Sequence, residues 1–132
     1  MQRNATHADF IDTIKRRKNM AKDDYYVIVY KILAYLYVQL KAGEDADQKM
    51  IAHDGPLFKI NERYWTYVIE NMMNQGFIEG VSLTKAWGRE SMVTDMSGCR
   101  ITPAGIAVLC DNNLMEKAKR FLKEAKEITP FI

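Results

Sequence analysis

A long apolar stretch constrains the fold of this chain more than any other feature. Residues 25–40 read YYVIVYKILAYLYVQL, with Lys31 as the only charged side chain. The stretch is too long for an ordinary strand, so it predicts a helix that begins after Asp23 or Asp24 and ends at Gly43. A helix that is apolar on most sides must be covered on most sides. We therefore expect a central core helix, covered by its own chain alone or shared with a second copy.

Composition and the first residues limit the class of protein. The chain has 132 residues, of which 48% are hydrophobic, which is enough for one core and short for two. The apolar stretch is interrupted by Lys31 and contains five tyrosines, so it is too polar to span a bilayer. The opening residues MQRNATHADF contain no signal-peptide core. We therefore expect a cytoplasmic, single-domain protein that does not bind membranes.

Positive charge is concentrated at the N-terminus. Residues 1–22 contain six basic and two acidic side chains, a net charge of +4, while the whole chain has +2, so residues 23–132 have −2. We divide the chain accordingly into a basic N-terminal helix or arm, 1–22, and one domain, 23–132. The run that includes Arg16, Arg17 and Lys18 has two interpretations. Its basic side chains either stabilise the C-terminal end of a capped helix, where the helix dipole favours positive charge, or supply additional contacts to DNA phosphates.

Start and stop signals predict two helices in the next part of the chain. Asp45 with Gln48 predicts a short helix that stops at Gly55. Asn61 is placed to cap a helix over residues 62–75, because an apolar stripe with helical spacing follows it. That stripe comprises Trp65, Val68, Ile69, Met72 and Met73.

The last third of the chain predicts a wing and two more helices. The segments FIEGVSL and CRI have the composition of two antiparallel strands, with the polar segment TKAWGRESMVTDMSG as a long tip between them. Thr102 with Pro103 predicts the start of a short helix. Asn113, with Glu116 three residues later, is placed to cap a predicted C-terminal helix over 113–128. Its apolar residues have heptad-like spacing and either pack on the core or form a dimer seam: Leu114, Ala118, Phe121, Ala125 and Ile128.

The order of these elements predicts the fold class. Helix, helix, helix, strand, tip, strand and helix is the order of a winged helix-turn-helix, with the third helix in the recognition position. We therefore expect an α+β, mainly α fold: a winged helix-turn-helix with a two-stranded wing and extra N-terminal and C-terminal helices.

Two stretches of the chain resemble a known family. INERYWTYVIENMMNQGFIEGV and RITPAGIAVLCDNNLMEKAKRFLKEAKEI are similar to the YjcQ-like family of small bacterial and phage winged-helix proteins. The resemblance covers residues 60–128 and rests on a helix, G-[FY]-I-x-G-V, a tip, I-T-x-x-G and a lysine-rich last helix. It implies a winged-helix fold and a DNA-binding role, and it brings no catalytic motif. The N-terminal helix and the insertion EDADQKMIAHDGPLFK depart from the pattern, so the resemblance implies nothing about them.

The outward face of the predicted recognition helix supplies candidate DNA contacts. Arg63, Thr66 and Asn71 can donate to or accept from base edges, and Tyr67 can reach a phosphate. Glu70 lies on the same face, and the charged residues of the helix give it a net charge of −1, which opposes a phosphate-lined groove.

The predicted wing supplies two more candidates. Lys85 and Arg89 flank Trp87 and suit a wing that contacts the minor groove or the DNA backbone. In the alternative interpretation, Trp87 packs on the sheet and both charges are solvated.

The sequence contains no pattern for catalysis or metal binding. His7 and His53 lie in different predicted helices, and no glycine-rich phosphate loop or nucleophile motif occurs. Cys99 and Cys110 match no metal spacing, and we interpret both as small buried hydrophobic residues. We expect no enzyme activity, no metal and no cofactor.

Together these patterns predict a regulator of transcription that binds double-stranded DNA. We expect a homodimer formed through the apolar helix 25–40, the C-terminal helix or both. The alternative is a protein-interaction module on the same scaffold, favoured by the acidic outward face and by the apolar helix.

Overall fold

The computed structural model describes residues 20–86 and 90–125. In this part of the chain the fold is α+β and mainly helical, with two small antiparallel sheets. The elements in chain order are α1 (Tyr25–Ala42), α2 (Glu62–Asn74), β1 (Ile78–Glu79), β2 (Ser82–Ala86), β3 (Glu90–Asp95), β4 (Arg100–Ile101), α3 (Pro103–Asp111) and α4 (Asn113–Glu124).

Helix α1 is the centre of the molecule, as the apolar stretch predicts. Every residue from 27 to 36 is buried, because α2, α3, α4 and β4 all pack against this helix. The helix ends at Gly43, whose φ of 71° is left-handed and whose N–H donates to the carbonyls of Gln39 and Leu40. The chain itself therefore covers residues 27–36, and no second copy is needed to bury them.

Residues 44–61 form turns and bends, so the prediction of a short helix there is wrong. Side chains from other elements bind the backbone of this segment instead. The hydroxyl of Tyr35 accepts from the Asp47 N–H at 2.9 Å, and the ammonium of Lys31 donates to the Leu57 carbonyl at 2.7 Å. These bonds satisfy backbone groups that a helix would otherwise pair internally.

Helix α2 agrees with its predicted start and core face. The Asn61 side chain accepts from the N–H groups of Arg63 and Tyr64, which caps the first turn. The predicted stripe faces the core, because Trp65, Val68, Ile69 and Met72 are buried and Met73 is half-buried. In addition, the Trp65 indole N–H donates to the Ile51 carbonyl at 2.9 Å, which ties α2 to the irregular segment.

The strands form one antiparallel hairpin that is interrupted in the middle. At its base β1 pairs with β4, with Ile78 opposite Ile101. Further out β2 pairs with β3, and the register shifts between Ser82 and Leu83. The sequence predicted residues 84–98 as an irregular tip, and most of these residues are strand instead. Residues 87–89 lie outside the described residues.

Helices α3 and α4 follow, and each has a side-chain cap at its N-terminus: a threonine for α3 and an asparagine for α4. Thr102 accepts from the Gly105 N–H at 3.0 Å and precedes Pro103, as predicted. The cap of α4 is Asn112, whose side chain accepts from the N–H groups of Leu114 and Met115, and not the predicted Asn113. The two asparagines are adjacent, and only the position of the first helical turn decides between them.

The buried face of α4 differs from the predicted heptad seam. Met115, Ala118 and Leu122 are buried, while Leu114 and Phe121 of the predicted seam are half-buried. This face packs on α1 and α3 of the same chain. The predicted end of the helix, beyond residue 125, lies outside the described residues.

The two cysteines have different environments, which corrects the interpretation that both are buried. Cys99 is 2% exposed at the base of the hairpin, whereas Cys110 is exposed near the end of α3. Cys110 lies in the last turn of α3, and its side chain is at the surface.

Candidate nucleic-acid interface

The outward face of α2 carries the four residues that the sequence predicted for a DNA groove. The helix is fixed by its buried stripe, so the opposite side faces solvent. Tyr67 is 60% exposed and Arg63 is exposed, while Thr66 and Asn71 are half-buried. The structure therefore brings these four residues together on one surface, which we call the α2 face.

Two of these side chains bind their own helix. The Thr66 hydroxyl donates to the Glu62 carbonyl at 2.9 Å, and the Asn71 amide donates to the Tyr67 carbonyl at 2.8 Å. Such bonds to the preceding turn are common for polar residues in helices. The Thr66 hydroxyl can donate to a ligand only by replacing this bond, whereas the Asn71 amide keeps a second N–H and its carbonyl oxygen. Tyr67 is 60% exposed, so its hydroxyl is open to a ligand.

The start of α1 lies against the α2 face. The Tyr64 hydroxyl donates to the Asp23 carbonyl at 2.6 Å. The rings of Tyr25 and Tyr67 meet edge to face at 6.2 Å, and Tyr25 meets Tyr26 in the same way at 5.1 Å. Residues 23–26 are thus held beside the α2 face.

Tyr25, Tyr26 and Tyr67 form an aromatic surface, which we call the tyrosine cluster. Tyr26 is 42% exposed, and Tyr25 is half-buried between the other two. Burial raises the pKa of Tyr25, and the neighbouring Tyr26 and Tyr67 raise it further, while a hydrogen bond with Gln75 lowers it. Tyr25 therefore keeps its proton at neutral pH and remains a donor.

Sequence reasoning missed the contribution of Tyr25 and Tyr26. Both residues lie in the apolar stretch that predicts the core helix, and the sequence pattern assigned them no role of their own. The available signal was their place at the first turn of the helix, before the fully apolar positions begin. Whether a first turn is covered depends on the neighbouring elements, and α2 is far from this turn in sequence.

The hairpin places Lys85 at the surface. Lys85 is exposed on β2 and stands opposite Ser91 on β3. Arg100, at the base of the hairpin, is 3.3 Å from Glu79 and is therefore paired. Arg89 of the predicted wing and Arg16, Arg17 and Lys18 of the predicted arm lie outside the described residues.

A second basic surface lies on α4. Helix α4 has four basic and two acidic residues, and all six side chains are exposed. The sequence showed a lysine-rich last helix but did not predict a site there. The basic residues are Lys117, Lys119, Arg120 and Lys123.

Groups that commonly bind metals are dispersed in residues 20–86 and 90–125. In that part of the chain no three His, Cys, Asp or Glu side chains come together as a metal site. His53 lies 3.6 Å from Glu62 at the start of α2, which is a surface pair. Among the same residues, no helix combines the length and apolar character that a bilayer crossing requires.

Comparison with known families identifies the chain. The family model described as YjcQ protein matches residues 30–128. The chain belongs to the YjcQ family. No curated protein and no solved structure matches it.

The YjcQ match begins earlier than the sequence resemblance suggested. It starts at residue 30, within α1, and includes the irregular segment 44–61. That segment is tied to α1 and α2 by the side-chain bonds described above. The YjcQ unit in this chain therefore contains most of the central helix as well as α2, the hairpin, α3 and α4.

Proposed function

We propose that this YjcQ-family chain is a winged-helix-like, non-enzymatic regulator that binds double-stranded DNA through the α2 face. In this proposal α2 lies in the major groove, the hairpin contacts the backbone beside it, and the basic N-terminal segment adds phosphate contacts. The polar side chains on the α2 face and the exposed Lys85 on β2 support it.

The contact between the start of α1 and the α2 face carries the proposal. The bond from Tyr64 to the Asp23 carbonyl and the contact of Tyr25 with Tyr67 fix the point from which the basic segment departs. Lys18 precedes Asp23 by five positions, and a chain of that length reaches at most about 18 Å. The positive charge of the N-terminal segment is therefore available to a duplex that lies on the α2 face.

The candidate hydrogen-bond donors fall into two groups, those suited to base edges and those suited to phosphates. Arg63 is placed to read a guanine edge, because a guanidinium can donate two parallel bonds to it. The Tyr67 and Tyr26 hydroxyls are suited to phosphate contacts, which position a protein on DNA without reading its sequence. Thr66 can accept and Asn71 can both donate and accept while their bonds to the helix backbone remain, but Thr66 can donate only after its bond is released.

In this proposal, affinity for DNA depends on the positive charge of the N-terminal segment, residues 1–22. Helix α2 has a net charge of −1, whereas residues 1–22 have +4. Phosphate contacts provide most of the non-specific affinity for DNA and weaken as salt increases. The proposal therefore requires a strong dependence on salt that comes mainly from the N-terminal segment.

Fluorescence anisotropy with a labelled, mixed-sequence duplex tests the proposal. Binding by the full chain should weaken as salt rises, with a log-log slope of about −0.9 for each phosphate contact. A chain that starts at residue 20 should give a shallower slope. No binding by the full chain at about 50 mM salt would exclude this function.

A matched pair of arginine substitutions tests the location of the interface. Arg63→Ala should weaken binding about tenfold, which corresponds to about 1.4 kcal/mol. Arg120→Ala removes the same charge from the exposed side of α4 and should change the affinity by less than about twofold. Equal losses in both variants would place the interface away from the α2 face.

The tyrosine cluster favours a second function, binding to another protein. Tyrosine is enriched in the energetically important centres of protein interfaces, and two of these three rings are exposed. The net charge of −1 on α2 also suits a protein partner better than a phosphate backbone. Tyr67→Ala separates the functions, because loss of a partner with unchanged salt-dependent DNA affinity would favour protein binding.

A further inference from the structure

A groove runs between the C-terminal half of α1, the end of α3 and the start of α4. Its volume is about 340 Å³. The α1 side consists of residues spaced by four, three, one and three positions, which places them on one face of the helix. We call this set the α1 stripe: Tyr30, Ala34, Tyr37, Val38 and Lys41.

The α1 stripe changes from buried to exposed along the helix. Tyr30 and Ala34 are 5% and 7% exposed, whereas Val38 is 39% exposed. The ammonium of Lys41 lies over the ring of Tyr37, 4.7 Å from its centre. The last two turns of α1 thus present an apolar surface to solvent, next to the part that its own chain covers.

Charges of both signs line the groove. Lys41 marks the exposed end. Glu116, from α4, lines the groove near Tyr30. Burial raises the pKa of Tyr30, and the negative charge of Glu116 raises it further. The Glu116 carboxylate also lies 4.0 Å from the Arg120 guanidinium on the same helix, an exposed pair that contributes little energy. Lys119 adds a second positive charge to the lining of the groove.

We propose that a second copy of this chain occupies the groove, with the two α1 stripes crossing antiparallel about a two-fold axis. Such a contact places the Lys41 end of each stripe over the Glu116 end of the other. Val38 of both copies then lies near the axis, where it is removed from water.

The charges on the groove favour a second copy over an unrelated partner. A two-fold interface places the same surface against itself, so the surface must contain both signs of charge. Lys41, Lys119 and Glu116 provide both signs at separate positions, and the antiparallel crossing brings unlike charges together. This dimer is independent of the proposed DNA binding.

Charge reversal tests the crossing directly. The dissociation constant of the full chain is measured by sedimentation equilibrium at low salt. Lys41→Glu and Glu116→Lys should each raise it by about tenfold or more, because each places like charges together. The double variant should restore it to within about threefold, because the pair is then reversed and again complementary.

A second measurement keeps the test independent of these substitutions. Cys110 lines the groove and is exposed, whereas Cys99 is buried, so a thiol reagent reports on Cys110 in the folded chain. The labelling rate of Cys110 should decrease as protein concentration rises through the dissociation constant. In Lys41→Glu the rate should not depend on concentration over the same range.

Three results would overturn the dimer proposed here. The chain could remain monomeric at concentrations up to about 1 mM, which would mean a dissociation constant too high for the dimer to form at ordinary protein concentrations. The double charge reversal could fail to restore association. Finally, a dimer could form while Cys110 keeps its full labelling rate, which would place the interface elsewhere.

Discussion

At the scale of single residues, Gly105 is a position where close packing excludes a larger side chain. It lies in the first turn of α3, where a Cβ would be 2.2 Å from the Phe77 carbonyl oxygen and 2.8 Å from a side-chain carbon of Ile101. Backbone cannot move aside at that distance without disturbing the base of the hairpin. The glycine of the I-T-x-x-G pattern is therefore explained by close packing of α3 on the chain that enters β1.

Gly105→Ala should lower the free energy of unfolding by about 1–3 kcal/mol, because the added methyl group overpacks this contact. Gly98→Ala is the matched control, since its Cβ would meet the Gly80 carbonyl at an ordinary 3.6 Å. That variant should stay within about 0.5 kcal/mol of the parent chain in urea unfolding. Similar losses in both variants would show that packing at Gly105 is not the cause.

Cys99 should make the protein less stable in alkaline solution. Burial raises the pKa of its thiol from 9.0 to about 12. The folded state keeps the proton, so this contribution is fully present below pH 9 and is lost as the pH rises towards 12. Between pH 8 and pH 10 the free energy of unfolding should decrease by about 1.4 kcal/mol from this group.

Two cysteine variants check this pH dependence. In urea unfolding at several pH values, Cys99→Ala should show a smaller decrease than the parent chain. Cys110→Ala, which removes the exposed thiol, should keep the full decrease. An unchanged profile in Cys99→Ala would assign the loss of stability to other groups, such as Tyr25 and Tyr30, whose pKa values burial also raises.

At the scale of elements, the two asparagines before α4 test how its first turn is formed. Asn112 accepts from two N–H groups of that turn, and Asn113 is the first helical residue. Asn112→Ala should therefore cost about 1 kcal/mol of stability. Asn113→Ala should cost nothing or stabilise slightly, because alanine is the better helix former. Thermal unfolding of the two variants distinguishes these outcomes. A larger loss of stability in Asn113→Ala than in Asn112→Ala would show that Asn113 is the cap.

Also at this scale, the irregular segment 44–61 is stabilised by side chains of two helices. Tyr35 and Lys31 come from α1, and Trp65 comes from α2. In the sequence Lys31 only interrupts an apolar stretch. In the structure it is 2% exposed and donates a buried hydrogen bond to the Leu57 carbonyl. Its stem adds to the core while its ammonium satisfies a backbone carbonyl.

At the scale of the whole molecule, stability should be distributed unevenly. Helix α1 packs against four other elements, whereas β2 and β3 pack mainly on each other and Met92 is 52% exposed. Amide hydrogens of residues 27–36 should exchange only through global unfolding, and those of the β2 and β3 pair through smaller openings. Hydrogen exchange measured by mass spectrometry with added urea checks this order. Equal protection of both regions would contradict it.

The sequence by itself determined the helices that have local signals. The apolar stretch required a buried α1, the Asn61 cap and apolar stripe fixed the core face of α2, and Thr102 with Pro103 fixed the start of α3. The same helical spacing placed Arg63 and Tyr67 on an exposed face. These signals act within about four residues, so they can be read without the fold.

Only the tertiary structure decided the irregular segment and the surroundings of the candidate site. Asp47, Ile51 and Leu57 find partners 12, 14 and 26 residues away, and these bonds replace the predicted short helix. The meeting of Tyr25 with Tyr67 likewise joins the first turn of α1 to a helix that follows much later. Caps and periodicity carry no information about such distances, because side chains from separate elements become neighbours only when the core forms.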